Sequence, residues 1–371
     1  MARPRVAKVR YAVIGLGYIA QVAVLPAFQH AKNSELKALV SDDPEKLKKL
    51  GKKYSVDRLY PYTRYEACLA SGEIDAVYIA LPNSMHREYA VRAAQAGIHV
   101  LCEKPMAVAE EECRDMIRAA AQANVRLMIA YRLHFDTANL TAVDIVRSGK
   151  LGDPRIFHSV FTMQVRDEGN IRLKRSMGGG TLYDIGIYCI NAARYLFRAE
   201  PKEVLALSAT GGDPRFTEVD EMTAAVLRFP GERLASFVCS FGAADSGAYD
   251  LVGTKGSLRL DPAYAYATEM KLTTRISGKD KEKTFARHDQ FGPELVYFSD
   301  CVREGRNPEP DGREGLADVR IIRAISESAR AKKPVTLEAF EKSLRPGPEQ
   351  EIGRPGIKKP EVVHAESPGG G

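Results

Sequence analysis

"VRYAVIGLGYIA", residues 9–20, decides the fold. Its first half is an apolar run of strand type. Its second half, "GLGYIA" at 15–20, puts two glycines where that strand must turn into a helical pattern, "YIAQVAVLPAFQHA" at 18–31. Gly15 permits a tight turn, Gly17 lets backbone approach a pyrophosphate, and Ala20 stands where close helix packing takes Gly or Ala. The free N–H groups of the helix N-terminus then face the anion. Plain turns also carry such glycines, so the weight of the motif rests on the chain that follows.

That chain repeats the strand–helix unit. "ELKALVS" (35–41), "IDAVYIAL" (74–81), "IHVLC" (98–102) and "VRLMIAY" (125–131) read as strands. "PEKLKKLGKKY" (44–54), "SMHREYAVRAAQAG" (84–97, with Ser84 as the expected N-cap) and "AEEECRDMIRAAAQAN" (109–124) read as helices. Apolar strands alternating with amphipathic helices predict an α/β domain over 1–130, a doubly wound parallel sheet covered on both faces.

Near residue 130 the rhythm changes. One helix, "TANLTAVDIVRSG", is followed by seven alternating runs between 155 and 276, several joined by short turns such as "PGER" and "GTKG". They predict a second α/β domain over 131–336, built on a large, mostly antiparallel open sheet. Two helical patterns, at 293–305 and 315–333, close it. From 344 to 371 the chain is rich in Pro and Gly and lacks apolar periodicity, which predicts a flexible tail.

Composition narrows the function. Of 371 residues 44% are hydrophobic, and no apolar run is long enough to span a bilayer. No secretory signal is visible at the start, so a cytoplasmic protein without a membrane partner is expected. The net charge of +6 is spread over 54 basic and 48 acidic residues without a basic block, which argues against a nucleic-acid partner. The six cysteines form no CxxC pair, so packed thiols are expected and no metal site.

Three further stretches carry chemistry. At the end of the second strand, where NAD-binding chains place an acid for the ribose 2′-hydroxyl, this chain has Ser41. Ser41 can donate to a 2′-phosphate, and Lys46 can add charge from the next helical turn. Asp42 and Asp43 keep NAD open, although either can instead cap the helix before Pro44. "ALPNSMH" (80–86) and "HVLCEKPMA" (99–107) both follow strands. Ligands bind outside the carboxyl ends of such strands, so Pro82 and Lys104 point toward the same crevice as Gly15. Pro105 is a natural place for a cis bond. In "GGGTLYDIGIY" (178–188), Asp184 and Tyr188 are four apart on one expected helical face. A phenol beside a lysine and a carboxylate suits the transfer of an alcohol proton, with cationic Lys104 stabilising the phenolate. A glycine hinge with Tyr188 packed in the core is the other reading of that stretch.

"GLGYIAQ", "DAVYIALPNSMH", "HVLCEKPMA", "YRLHFD" and "GGGTLYDIGIY" stand in the order and spacing of the Gfo/Idh/MocA oxidoreductase family. The chain resembles that family from about residue 9 to 336, and its motifs are most similar to the glucose–fructose oxidoreductase branch. The resemblance implies an N-terminal Rossmann domain and a C-terminal domain with a large open sheet. It implies Lys104 and Asp184 as catalytic residues, with Tyr188 where many relatives carry His. Cofactor contacts are implied for Gly15, Gly17, Tyr18 and Ile19 in the first motif. Ser41 and Lys46 fall on the pair that holds the 2′-phosphate of NADP. Leu81, Pro82, Asn83 and His86 follow in the second motif, and Glu103 and Lys104 in the third. Tyr62, Arg132, Arg172 and Tyr266 are implied contacts with cofactor or substrate. Two departures stand out. About ten residues precede the first strand, where periplasmic members carry a long arm, and Ile171 replaces a family Trp.

The expectation is an NADP-dependent sugar oxidoreductase, with NAD as the less favoured cofactor. It would move a hydride between C1 of a glucose-like aldose and nicotinamide, and pass it to a second sugar in a ping-pong cycle if the cofactor stays bound. A simple aldose dehydrogenase or dicarbonyl-sugar reductase with exchangeable cofactor is the near alternative. A non-catalytic sugar or nucleotide sensor is the distant one. A homodimer or homotetramer through the open sheet face is expected.

Overall fold

The computed structural model describes residues 8–369. Six strands form the first sheet: β1 (Val9–Ile14), β2 (Ser34–Val40), β3 (Arg58–Tyr60), β4 (Ala76–Ile79), β5 (His99–Glu103) and β6 (Leu127–Ala130). Their order is β3-β2-β1-β4-β5-β6, and every pairing is parallel. All four residues of β4 are buried, because helices cover both faces. The order reverses beside β1, so the crevice between the carboxyl ends of β1 and β4 is the ligand position of such a sheet.

The second sheet has nine strands in the order β14-β13-β12-β11-β7-β10-β9-β8-β15. These are β7 (Pro154–Thr162), β8 (Glu203–Ala209), β9 (Met222–Phe229), β10 (Arg233–Ser240), β11 (Ser246–Gly253), β12 (Gly256–Asp261), β13 (Met270–Ile276), β14 (Lys279–Phe285) and β15 (Val335–Thr336). All neighbours are antiparallel except β7 and β10. Strands such as β9 alternate buried and exposed side chains, with helices against the buried face. All six cysteines are buried and unpaired. Among the described residues no helix is long and apolar enough to cross a membrane.

Several elements depart from the sequence reading. Ser84 does not cap its helix: a 3-10 turn, Asn83–Met85, leads into His86–Gln95 without a side-chain cap. The helix after the glycine turn begins as a π-helix, Ala20–Val24, and passes through Pro26 into a 3-10 turn. Proline lacks the N–H for an i→i−4 bond and its ring crowds the carbonyl four back, so the regular α ladder cannot run through it. β14, "KDKEKTF", has no apolar alternation because it is a charged edge strand, exposed until Phe285.

The Pro/Gly-rich stretch from 344 was expected to be a flexible tail; instead it runs as an extended strap against the body. It is tied down by charges the core needs. Arg345 pairs with Glu200 at 2.6 Å, just after Lys342 pairs with buried Glu314 at 2.8 Å and Glu309 at 3.1 Å. The Gln350 amide donates to Glu309 O at 2.8 Å. Glu200 and Glu314 also pair with Arg194, and Glu309 with His134, so the segment adds further partners to a buried charge network.

Candidate active site

Gly15 has φ +91°, and a Cβ there would sit 2.5 Å from Ala80 O, so only glycine lets β1 turn this close to β4. Gly17 differs: a Cβ would meet no protein atom within 4 Å. Its missing side chain opens space on the crevice side, as a closely approaching pyrophosphate needs. A cavity of about 460 Å³ runs from these glycines to the second domain.

At one end are Ser41, Lys46 and Tyr62. Asp43 Oδ1 caps the helix Pro44–Tyr54, accepting from the N–H groups of Glu45 and Lys46. Asp42 Oδ1 accepts the Tyr62 N–H at 2.9 Å. Both aspartates that kept NAD open are thus engaged in the turn. Buried Ser41 accepts the Asp43 N–H at its Oγ, which leaves its own O–H to donate.

At the other end the two domains meet on Lys104. Its Nζ donates to Asp184 O at 2.8 Å and to Asp184 Oδ1 at 3.1 Å, and lies 4.8 Å from the Tyr188 ring centroid. The Lys104–Pro105 bond is cis. Burial works against the ammonium, but Tyr188, Asp184 and Glu103 outweigh it and raise the Lys104 pKa. Asp184 Oδ2 accepts Arg172 Nε at 2.5 Å. Burial pushes the Asp184 carboxyl up, yet Arg172 and Lys104 hold it far below the usual carboxylate range. Asp184 is therefore an anion that fixes one cation from each domain. It lies in a π-helix, Leu182–Gly186, that continues into the α-helix Ile187–Phe197 bearing Tyr188.

Arg132 Nε donates to the Tyr188 hydroxyl at 3.3 Å. Its other nitrogens donate to Tyr264 O, at 2.6 Å, and to Gln290 Oε1. The Tyr188 side chain thus has two cations against it, Lys104 at 4.8 Å and Arg132 at 5.0 Å from the ring centroid. Phe161 and Tyr264 wall the ring, with centroids 5.5 and 5.8 Å from that of Tyr188. Glu103 turns inward and accepts the Tyr78 hydroxyl at 2.8 Å; burial raises its pKa although Lys104 opposes this.

Every residue expected at the site lines this cavity except His86. The His86 ring is fully buried, with Nδ1 2.8 Å from Pro105 O and Nε2 2.9 Å from Leu81 O. It braces the loop after β4 against the loop after β5 and cannot reach a ligand, which corrects that assignment. Phe161, Met163, Tyr264 and Phe291 line the cavity but were not read from the sequence, nor was Gln290 behind Arg132. Aromatic alternation in "RIFHSVFTMQV" was the only local signal, and it does not say which strand faces the crevice.

Known proteins give the same class. Residues 9–131 match the family model "Oxidoreductase family, NAD-binding Rossmann fold", and 139–259 match the GFO/IDH/MocA C-terminal domain. The chain belongs to the GFO/IDH/MocA oxidoreductase family. It is 32% identical to an NADP(+) D-xylose 1-dehydrogenase of Haloarcula marismortui, over 89% of this chain and 93% of that protein. The structure of an aldose-aldose oxidoreductase from Caulobacter crescentus, complexed with glycerol, is similar at TM-score 0.85 and 38% identity. The match covers 89% of this chain and 100% of that one. A 3-ketoreductase from Actinomadura kijaniata, solved with NADP and TDP-benzene, is similar at TM-score 0.79 and 26% identity, covering 86% and 98%.

Proposed function

We propose that this oxidoreductase moves a hydride between C1 of an aldose and NADP, and that Tyr188 is the acid–base residue. The observation that carries the reading is Tyr188 between Lys104 and Arg132, in one cavity with the open cradle at Gly17 and the neutral Ser41. Similarity to an NADP(+) xylose dehydrogenase and to an aldose-aldose oxidoreductase supports it. Ser41 and Lys46 suit a 2′-phosphate, and Gly15, Gly17, Tyr18 and Ile19 suit the pyrophosphate. Leu81, Pro82 and Asn83 line the path between the glycines and Lys104.

When bound, NADP supplies the carbon that accepts the hydride. Tyr188 Oη takes the proton of the C1 hydroxyl as that C–H bond breaks, which leaves a lactone. Arg132 donates to the Tyr188 hydroxyl and holds it toward the sugar, Lys104 lies against the ring, and Asp184 holds Lys104 in place. Arg172 and Tyr266 close the sugar end. In a ping-pong cycle a second sugar carbonyl would occupy the same place once the lactone had left, and Tyr188 would return the proton to its oxygen.

The test is a single-turnover experiment on protein loaded with NADP⁺. Glucose and xylose should each produce absorbance of reduced nicotinamide, and a second sugar should discharge it. No reduction by any aldose would overturn the reading.

The assembly proposed with it is a dimer, or a dimer of dimers, through the open face of the nine-stranded sheet. Leu205 and Val226 are paired neighbours on that face, as are Leu234, Ile156 and Val252. Each is more than two-fifths exposed. Apolar patches of this kind mark interfaces. Light scattering showing only monomer at micromolar concentration would refute it.

A further inference from the structure

The C-terminal strap runs along the outer side of the crevice. Lys359 lies 5.7 Å over the Tyr18 ring, and Lys53 Nζ donates to Glu361 O at 3.2 Å. Val363 is then held twice by Gln21, a buried side chain in the helix after the glycine turn. Val363 N–H donates to Gln21 Oε1 at 2.7 Å, and Gln21 Nε2 donates to Val363 O at 2.8 Å. The same Nε2 donates to Leu16 O at 2.9 Å, so the strap is tied to the glycine turn itself. His364 comes next. Its Nδ1 is 2.8 Å from Asp43 Oδ2 and its Nε2 is 3.1 Å from Glu45 Oε2, beside Ser41 and Lys46. Ser367 and Pro368 line the cavity, and Pro368 O accepts the Arg166 N–H of the second domain at 3.4 Å.

The strap therefore crosses the mouth of the crevice from the ribose end of one domain to the other domain. A cover anchored on both sides must be displaced before a dinucleotide beneath it can leave. We infer that residues 363–368 form the outer wall of the nucleotide site and hold NADP in the crevice between half-reactions. This rests on the reading of the crevice as an NADP site. It gives the ping-pong cycle its structural requirement, a cofactor that leaves more slowly than sugars exchange. His364 anchors the strap at that end, through Asp43 and Glu45 on the turn and helix that follow Ser41.

The test uses full-length protein loaded with NADPH. Release is followed by the loss of nucleotide fluorescence when a large excess of a second NADPH-binding protein is added as a trap. Val363→Pro removes the N–H that Gln21 accepts, and His364→Ala removes the Asp43 and Glu45 contacts. Each should speed release about tenfold, the change expected for one or two hydrogen bonds of ordinary net strength. His364 is half exposed, so its variant provides the test if Val363→Pro does not fold. Release at the wild-type rate in a folded variant would overturn the inference. So would tighter NADPH binding in either variant, because the strap would then compete with the nucleotide. Failure of the functional reading is seen separately: the loaded wild type would not be reduced by any aldose, whatever its release rate.

Discussion

Ser41→Asp puts the nucleotide assignment under the most direct strain. In the wild type the Ser41 hydroxyl is free to donate, while Asp42 and Asp43 are engaged with backbone N–H groups. The substitution removes a donor whose bond to a phosphate is worth about 1.5–3 kcal/mol. It also introduces a carboxylate beside the expected phosphate. Two unit charges about 5 Å apart repel by about 0.8 kcal/mol in water and about 3 kcal/mol at the effective dielectric of a protein surface. Together the two effects cost about 2–6 kcal/mol, a loss of at least about thirtyfold in NADP affinity. NAD affinity should hold or rise, because a carboxylate there can accept from the ribose 2′-hydroxyl. The assay is fluorescence titration of nucleotide-free wild type and variant with NADPH and NADH. Equal affinities in the wild type, or NADPH binding within about twofold of wild type in the variant, would refute the reasoning.

Tyr188→Phe and Lys104→Ala should each lower turnover by roughly 10²–10⁴-fold with the circular dichroism spectrum unchanged; Tyr188→Phe near the wild-type rate with every active sugar would remove Tyr188 from the chemistry. Gly17→Ala should keep the melting temperature of the nucleotide-free protein yet lose at least about tenfold in NADP affinity, whereas Gly15→Ala should lower the melting temperature, since its Cβ meets Ala80 O. His134 bridges Glu309 and Asn191 in the core. Burial opposes its charge, but Glu309 outweighs burial and raises its pKa above the usual value near 6.5. Its contribution to stability is then complete below about pH 6.5 and lost as pH rises through the folded-state value. Chemical denaturation of wild type and His134→Gln should show a stability difference that shrinks over that range; a difference independent of pH would contradict it.

Local architecture was legible in the order of residues alone. Strand and helix periods, Ser41 in place of an acid, and glycines at 15 and 17 are properties of neighbouring residues. Each acts through its own backbone conformation or its own step along a strand. The parallel sheet and its crevice follow, because a run of strand–helix units has few other ways to bury its apolar faces. Charged β14 and the proline-bearing helix after Gly17 were legible only in part, since edge position and a π turn depend on what packs beside them. Whatever joins distant parts of the chain came from the folded state. Folding set Arg132 on the Tyr188 hydroxyl, made Asp184 the shared anion of Lys104 and Arg172, and turned His86 from a ligand contact into a brace. It also laid the Pro/Gly-rich terminus back across the crevice. That terminus has too little apolar periodicity to signal order by itself. It is held by Glu200 and by buried Glu309 and Gln21, which lie far along the chain from Arg345, Gln350 and Val363, so no local pattern shows the pairing.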